Sequence, residues 1–437
     1  MRIAVIGTGH VGLVTCGTLA SFGHDVVGVD NDAEKIARLQ EGVTPFFEPG
    51  LQELLDTTTA AGKLHFTTDI AAGVAEADVV FICVGTPPKA SGEANLAAVE
   101  KAASDAARHA TKRMVIVEKS TVPAGTAGRL RRTIERERKD LAIDVASNPE
   151  FLREGKGVED SLAPTRILVG AESDHAFETM RAVYQPLLDK GCRLIETDIA
   201  TAELSKHACN AFLAMKISYA NAIARMCELA GADVTDVVEV MGSDPRIGKD
   251  FLGVGLGYGG YCFPKDLQAF ERLAASLGYD FPLLNEIARI NEEAVGAAVK
   301  KVEDTLWNLD GKRVALLGLA FKPGTDDTRL APALGVARAL LERGADVVGY
   351  DPQAGANAKT DVPELEIAED PYAAVAGAHC LVVCTEWPDI GALDLARIHD
   401  AMAYPVIVDG RNVFDPRTMV ALGFTYIPTG RPPVVPT

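Results

Sequence analysis

The chain of 437 residues is short of bases, with 43 lysines and arginines against 61 aspartates and glutamates and a formal charge of −18 at pH 7. That deficit argues against nucleic acid as a partner, yet leaves room for a local basic pocket that takes an anionic small molecule. No uninterrupted apolar run reaches membrane-spanning length, so no membrane association is expected. The opening residues, MRIAVIGTGHVGL, lack a small-residue cleavage site and read as a strand entering a glycine turn, not as a secretory signal. Eight cysteines are scattered, none in a CxxC pair or at zinc-ligand spacing with histidine, and no metal site is expected. Most lie inside apolar runs, as buried thiols in a reducing cytoplasm do.

What is present is ordinary for a soluble globular chain: 48% hydrophobic and 24% charged residues. The length is that of two to three domains. RIAVIG, DVVGVD, DVVFICVG, MVIVEKST and IDVASNPE, at residues 2–7, 25–30, 78–85, 114–121 and 143–150, read as buried strands of a parallel sheet separated by helical patterns. From Thr201 thirty residues pass without proline or glycine and stop at Gly231, which predicts one helix of about 45 Å that spans between domains or forms an oligomer interface. A glycine-rich loop and further helix run to about Lys301. A second α/β pattern begins at residues 311–321 and continues at 344–352, 380–387 and 405–412, and a proline-rich tail, PTGRPPVVPT, is expected to be extended or disordered. The predicted architecture is α/β: two doubly wound Rossmann-like domains joined by a long central helix and helical segment. Their expected limits are 1–200, 201–305 and 306–437.

Gly7, Gly9 and Gly12 have G-x-G-x-x-G spacing between a strand and a helix, and Asp30 closes the next strand. This is the context in which glycines admit a pyrophosphate and a carboxylate holds a ribose, and Asp30 favours NAD over NADP. Thr86 and Thr121 follow strand ends, where open sheets bind ligands, or else are turn hydroxyls capping helices. NPEFLREG lies at another strand end and supplies Glu150 and Glu154. Lys206 and Asn210 are four apart on the long helix and share a face that can bind an oxyanion, although a helical lysine is more often exposed. GLGYGGYCFPKD, residues 255–266, puts four glycines ahead of Cys262 and Lys265 and Asp266 behind it. By themselves these residues fit a nucleophile loop or a tight turn beside a small buried thiol.

In this order and spacing, GTGHVG, EKSTVPAGT, NPEFLREG, ELSKHACNAFLAMKISYANAI, GYGGYCFPKD and GLAFKPGTDDTR resemble the UDP-glucose/GDP-mannose dehydrogenase family over nearly the whole chain, leaving out the tail. The resemblance implies an NAD-dependent, two-step, four-electron oxidation of the C6 alcohol of UDP-glucose to UDP-glucuronate. A thiohemiacetal and then a thioester would form on Cys262, with Lys206 and Asn210 at the C6 oxyanion and Asp266 in proton transfer through water. Thr121 and Glu150 would place or activate water; which of Glu150, Thr121 and Asp266 is the principal base stays open. The cofactor would meet Gly7, Gly9, Val11, Gly12, Asp30, Lys35, Thr86, Thr121, Glu154, Lys265 and Arg329. The substrate would meet Glu150, Phe151, Leu152, Lys206, Asn210, Phe251, Gly255, Tyr258, Gly259, Phe321, Lys322 and Arg411, with Arg246 reaching across a subunit interface of a homodimer or larger homo-oligomer. Gly253 stands where some members carry a basic residue, so one diphosphate contact is not expected here.

Three alternatives remain. The same chemistry could act on GDP-mannose or a UDP-N-acetylhexosamine. A one-step hydroxyacid dehydrogenase shares the Lys-x-x-x-Asn helix but has no use for a loop cysteine. A non-catalytic NAD or sugar-nucleotide sensor has no need to keep Cys262, Lys206 and Asp266 together.

Overall fold

A computed structural model describes residues 1–436. The chain divides into two compact units, one made of Met1–Cys209 with Gln268–Tyr279, the other of Asn210–Leu267 with the chain from Asp280 onward. Among the described residues no helix is long and apolar enough to cross a membrane.

The first unit is built on eight strands: β1 (Arg2–Ile6), β2 (Asp25–Val29), β3 (Leu64–Thr67), β4 (Val79–Ile82), β5 (Met114–Glu118), β6 (Ile143–Ser147), β7 (Arg166–Gly170) and β8 (Arg193–Thr197). Their order is β3-β2-β1-β4-β5-β6-β7-β8. All neighbours are parallel except β6 and β7, which meet antiparallel at Ser147 and Gly170. Alternate side chains of β1 enter opposite apolar layers: Ile3 and Val5 one, Ala4 and Ile6 the other. Every residue of β4 and β5 is buried, which is why, apart from Glu118 at the end of β5, these strands read as apolar runs.

The second unit repeats the plan. β9 (Arg313–Leu317), β10 (Asp346–Tyr350), β11 (Glu366–Ile367), β12 (Cys380–Val383), β13 (Val406–Asp409) and β14 (Thr425–Pro428) form a parallel sheet in the order β11-β10-β9-β12-β13-β14. Val314 and Leu316 enter one layer, Ala315 and Leu317 the other. In each sheet the strand order reverses beside the first strand, between β1 and β4 and between β9 and β12. Ligands of doubly wound sheets bind outside the carboxyl ends at such points. The expected α/β class, with two doubly wound sheets, is the architecture observed.

The long helix is Ile199–Ala230, 32 residues, and Gly231 follows it at φ +72°. The division between the units falls inside it, after Cys209. A further helix, Val234–Ser243, precedes the glycine loop and was not expected there. Helices Cys262–Ser276 and Pro282–Leu306 follow the loop. The proline-rich tail is extended and fastened: Val434 pairs with Tyr426, Gly430 N donates to Glu228 (3.0 Å), and Arg431 pairs with Asp233 (2.9 Å).

The turn after β1 separates two glycine roles. A Cβ at Gly12 would sit 1.8 Å from the Gly7 carbonyl oxygen, whereas one at Gly9 would meet nothing within 4 Å. Gly12→Ala is therefore expected to destabilise the protein by about 3 kcal/mol or more. Gly9→Ala should melt within about 0.5 kcal/mol of wild type while binding NAD⁺ roughly tenfold more weakly, its methyl standing where a phosphate approaches. Thermal melts and calorimetric NAD⁺ titration of the two variants check both outcomes.

Candidate active site

The cofactor half lies in the first unit. Gly7 turns at φ +97° and Gly9 caps helix His10–Ser21 in an extended conformation, so the first helical N–H groups open beyond the carboxyl end of β1. Val11, half-buried, packs against the core beneath that turn. Asp30 binds the turn back: its Oδ2 accepts from Thr8 N and Thr8 Oγ1 (both 2.8 Å) and its Oδ1 from Asp32 N (3.1 Å). Lys35 Nζ lies 3.0 Å from Oδ2. Burial pushes the Asp30 carboxyl up, but the Thr8 amide and the Lys35 ammonium outweigh it and hold the group below the usual carboxylate range. An acid just past β2 whose ionised form is favoured, a helix start without a side-chain cap, and open space at Gly9 together fit a dinucleotide with a free 2′-hydroxyl.

The strand-end loops of this unit are held from the long helix. Glu203, Lys206 and His207 share one helical face at i, i+3 and i+4. Glu203 accepts from Gly125 N (2.6 Å) and Ala127 N (2.8 Å) and so caps helix Thr126–Glu137. Burial raises its carboxyl above the usual range despite those donors. His207 Nε2 lies 2.9 Å from Val122 O, and its ring stacks on Phe270. The loop between them carries Thr121, whose carbonyl accepts from Thr86 Oγ1 at 3.0 Å. Lys206 Nζ lies 2.9 Å from Glu150 Oε1, with 4% and 8% of the two side chains exposed. Glu150 Oε2 accepts from Leu152 N at 2.7 Å. The same loop is anchored by Asn148, which accepts from Lys119 Nζ (3.1 Å) and Tyr184 OH (2.6 Å), and by Phe151, stacked under the Arg166 guanidinium at 4.0 Å. Glu154 follows, close enough to His10 to act on its charge.

The cysteine half lies in the second unit. Cys262 is exposed and is the first residue of helix Cys262–Ser276. One turn on, the buried Asp266 accepts from Asn210 Nδ2 and Lys265 Nζ, both at 2.6 Å. The glycines before the cysteine pack against this unit's own chain. Added Cβ atoms would meet Gly410 O at 2.4 Å from Gly255, Asn291 Oδ1 at 2.6 Å from Gly257, Leu330 O at 2.4 Å from Gly259, and the Phe321 ring at 2.8 Å from Gly260. The places where side chains would stand at these four glycines are thus filled by protein, while Gly253 faces open space. Asn291 fastens the loop by accepting from Tyr258 N (2.7 Å) and donating to Tyr258 O (3.0 Å). Tyr258 is buried, and burial pushes its phenol well above the usual range.

The remaining expected residues of this unit surround the loop. Phe251 holds φ +63°, and its ring and that of Tyr258 both meet Phe263. Lys322 Nζ lies 5.3 Å from the Phe321 ring centroid. Arg329 pairs bidentately with Asp327 (2.9 and 2.6 Å) and lies over Tyr261 at 4.7 Å, while its carbonyl accepts from Gly260 N. Arg411 donates to Cys384 O (2.8 Å), and Asp409 holds its backbone N–H (2.9 Å). Arg246 is 87% exposed on its side chain and paired with Asp244 two residues away. Sequence reasoning missed Glu203, His207, Lys119, Arg166 and Asn291. The polar face at 203, 206 and 207 was the one signal available for any of them.

Removing one partner of a buried ion pair leaves the other charge uncompensated, at a cost of about 3–5 kcal/mol. Lys206→Ala should destabilise the protein by that order, and Lys206→Met combined with Glu150→Leu should recover most of the loss. Urea melts of the single and double variants check the pair.

Comparison with known proteins agrees along the chain. Residues 1–188 match the NAD binding domain of the UDP-glucose/GDP-mannose dehydrogenase family, residues 200–293 its central domain, and residues 315–416 its UDP binding domain. The UDP-glucose 6-dehydrogenase YwqF of Bacillus subtilis is 43% identical over 100% of this chain and 99% of its own. The UDP-glucose 6-dehydrogenase of Pseudomonas aeruginosa is 44% identical over 99% and 98%. Among solved structures, a UDP-glucose dehydrogenase from Pyrobaculum islandicum superposes with a TM-score of 0.90 at 39% identity, covering 95% of each chain. With an NAD-binding sheet, a central helical segment and a second sheet matched in the same sequential order, the chain belongs to the UDP-glucose/GDP-mannose dehydrogenase family.

Proposed function

We propose that the protein is an NAD-dependent UDP-glucose 6-dehydrogenase that oxidises the C6 alcohol to a carboxylate in two steps and releases UDP-glucuronate. The observation that carries the reading is the cysteine half: an exposed thiol at a helix start, one turn from a buried carboxylate held by an amide and an ammonium. The names of the relatives above support the sugar nucleotide. In this reading residues 1–200 hold the cofactor, 201–305 carry the dimer contact and the cysteine loop, and 306–437 hold the UDP-sugar.

NAD⁺ bound at Gly7, Gly9, Val11 and Gly12, with Asp30 and Lys35 at its ribose, supplies the hydride acceptor for both oxidations. Thr86, Thr121, Glu154, Lys265 and Arg329 complete that contact. The first oxidation leaves an aldehyde at C6. The Cys262 sulfur adds to its carbonyl carbon, forming a C–S bond and an oxyanion that Lys206 and Asn210 stabilise. Oxidation of this thiohemiacetal leaves a thioester. Water then attacks the acyl carbon, the C–S bond breaks, and the carboxylate leaves with the thiol restored. Glu150, Thr121 and Asp266 position that water and carry its proton. Phe151, Leu152, Phe251, Gly255, Tyr258, Gly259, Phe321, Lys322 and Arg411 hold the sugar nucleotide, the glycines through their backbone. Arg246, unburied and held only by its own loop, is the residue a second subunit would meet. The reaction belongs in the cytoplasm, where the eight thiols stay reduced.

Cys262→Ser replaces a good leaving group with a poor one, so the variant should stall with sugar attached at residue 262, visible by mass spectrometry. Cys262→Ala should make no uronate yet still bind UDP-glucose and NAD⁺. Wild type should form two NADH per uronate. Uronate production by the alanine variant at near the wild-type rate would overturn the mechanism, and turnover on GDP-mannose exceeding that on UDP-glucose would overturn the substrate.

The long helix supports a dimer. Phe212, Tyr219 and Met226 recur every seven residues and are 58%, 54% and 60% exposed, and Leu229 is 80% exposed. A stripe with this period suits a second copy of the same helix. Sedimentation should show a dimer or larger species, and Phe212→Glu with Met226→Glu should release monomer.

A further inference from the structure

We propose that His10 and Glu48 are positioning residues: together they brace the loop carrying Glu150 and Glu154 against the first turn of the cofactor helix, and NAD⁺ binds less tightly once the imidazole loses its proton. The proposal rests on the NAD-binding reading above.

Glu48 lies two residues before Gly50, which caps helix Leu51–Ala60, and its side chain is 0% exposed. Both oxygens are committed. Oε2 accepts from Gly155 N and Oε1 from Gly157 N, each at 2.7 Å, across more than a hundred residues of chain. His10 Nε2 lies 2.8 Å from Oε2. Phe46, two residues before Glu48, stacks on the imidazole at 4.8 Å between centroids. A Cβ at Gly157 would come within 3.5 Å of both Glu48 Oε1 and His10 Nε2. One carboxylate therefore gathers three segments: the start of helix His10–Ser21, the 46–48 loop, and the 155–157 turn that follows Glu154.

His10 is the first residue of its helix, a position where a cation is disfavoured by the helix dipole. Glu48 offsets that cost. The groups acting on the ring's charge are Glu48 and, from the loop after β6, Glu154 and Glu150. Burial pulls the imidazole down, but these carboxylates more than reverse it, and the ring keeps its proton above the usual histidine range. Because the folded value lies above the unfolded one, the pair contributes fully below the ordinary histidine pKa of about 6.5. Its contribution is lost as pH rises through the folded value. Above that value Glu48 keeps its two backbone donors but loses the cation. The helix start then presents less positive field to a pyrophosphate.

The test uses the cofactor-free protein and NAD⁺ alone. Histidine NMR titration should show His10 with a midpoint above the ordinary histidine range, and Glu48→Gln should bring it down. Calorimetric NAD⁺ affinity of wild type should fall about three- to tenfold across the imidazole titration. In His10→Gln it should be flat and weak at every pH. A His10→Gln variant that keeps the wild-type fall overturns the proposal, and so does an unmoved His10 midpoint in Glu48→Gln. Should Glu48→Gln fail to fold, His10→Gln decides by itself. A wild type that binds no NAD⁺ at any pH would refute the cofactor reading, and the histidine titration would still judge the brace.

Discussion

A carboxylate that ties the turn after the first strand to the end of the second governs both sheets. In the first unit Asp30 accepts from Thr8 N; in the second Asp351 accepts from Leu319 N and Ala320 N at 2.7 and 2.9 Å. The preceding glycine repeats as well, Gly7 N donating to Val29 O and Gly318 N to Tyr350 O, both at 2.8 Å. The two differ in what lies beyond the carboxylate. Asp30 faces Lys35 and a helix that begins at once. Asp351 is buried and receives Trp387 Nε1 at 3.0 Å, and the next helix starts only at Pro332. One plan thus yields a sheet open to a dinucleotide and a sheet whose equivalent place is filled by its own side chains. The segment between Gly318 and Pro332 is released to pack against the cysteine loop instead.

That packing explains why the loop ahead of Cys262 is so poor in side chains. Main-chain oxygens of Leu330 and Gly410 approach where Cβ atoms of Gly259 and Gly255 would stand. Close backbone contact fixes the loop, so the first turn of the cysteine helix starts from a defined place. The buried Asp266 with its two donors fixes the following turn. Polar groups buried in this way are rigid when satisfied and costly when not.

Legibility followed chemical locality. β4 and β12 are apolar throughout, β1, β5 and β9 carry one charged residue at an end, and all five stood out in the sequence. β8, with no fully buried residue, and β11, only two residues long, left no comparable run. The glycine turn and Asp30 were legible because their spacing is short and mechanical. Glu203 and Glu48 were not, because each acts on backbone N–H groups 78 and 109 residues away, which no local pattern records. The loop glycines stood out, but sequence shows only that side chains are missing, not that the main chain of Gly410 and Leu330 fills the space. The long helix was read nearly to its ends because neither proline nor glycine interrupts it.

The distribution of sulfur has a practical side. Cys16, Cys83, Cys227, Cys380 and Cys384 are buried, Cys192 and Cys209 are half-covered, and Cys262 alone is exposed. Burial raises the thiols of Cys83, Cys380 and Cys384 to about 12, out of reach of mild electrophiles. A limiting dose of a maleimide or an iodoacetamide dye therefore meets first the most exposed sulfur, Cys262 at a helix start, with only the half-covered Cys192 and Cys209 to compete. The folded protein thus carries its own preferred handle for labelling and for covalent ligand discovery, with no engineered cysteine needed.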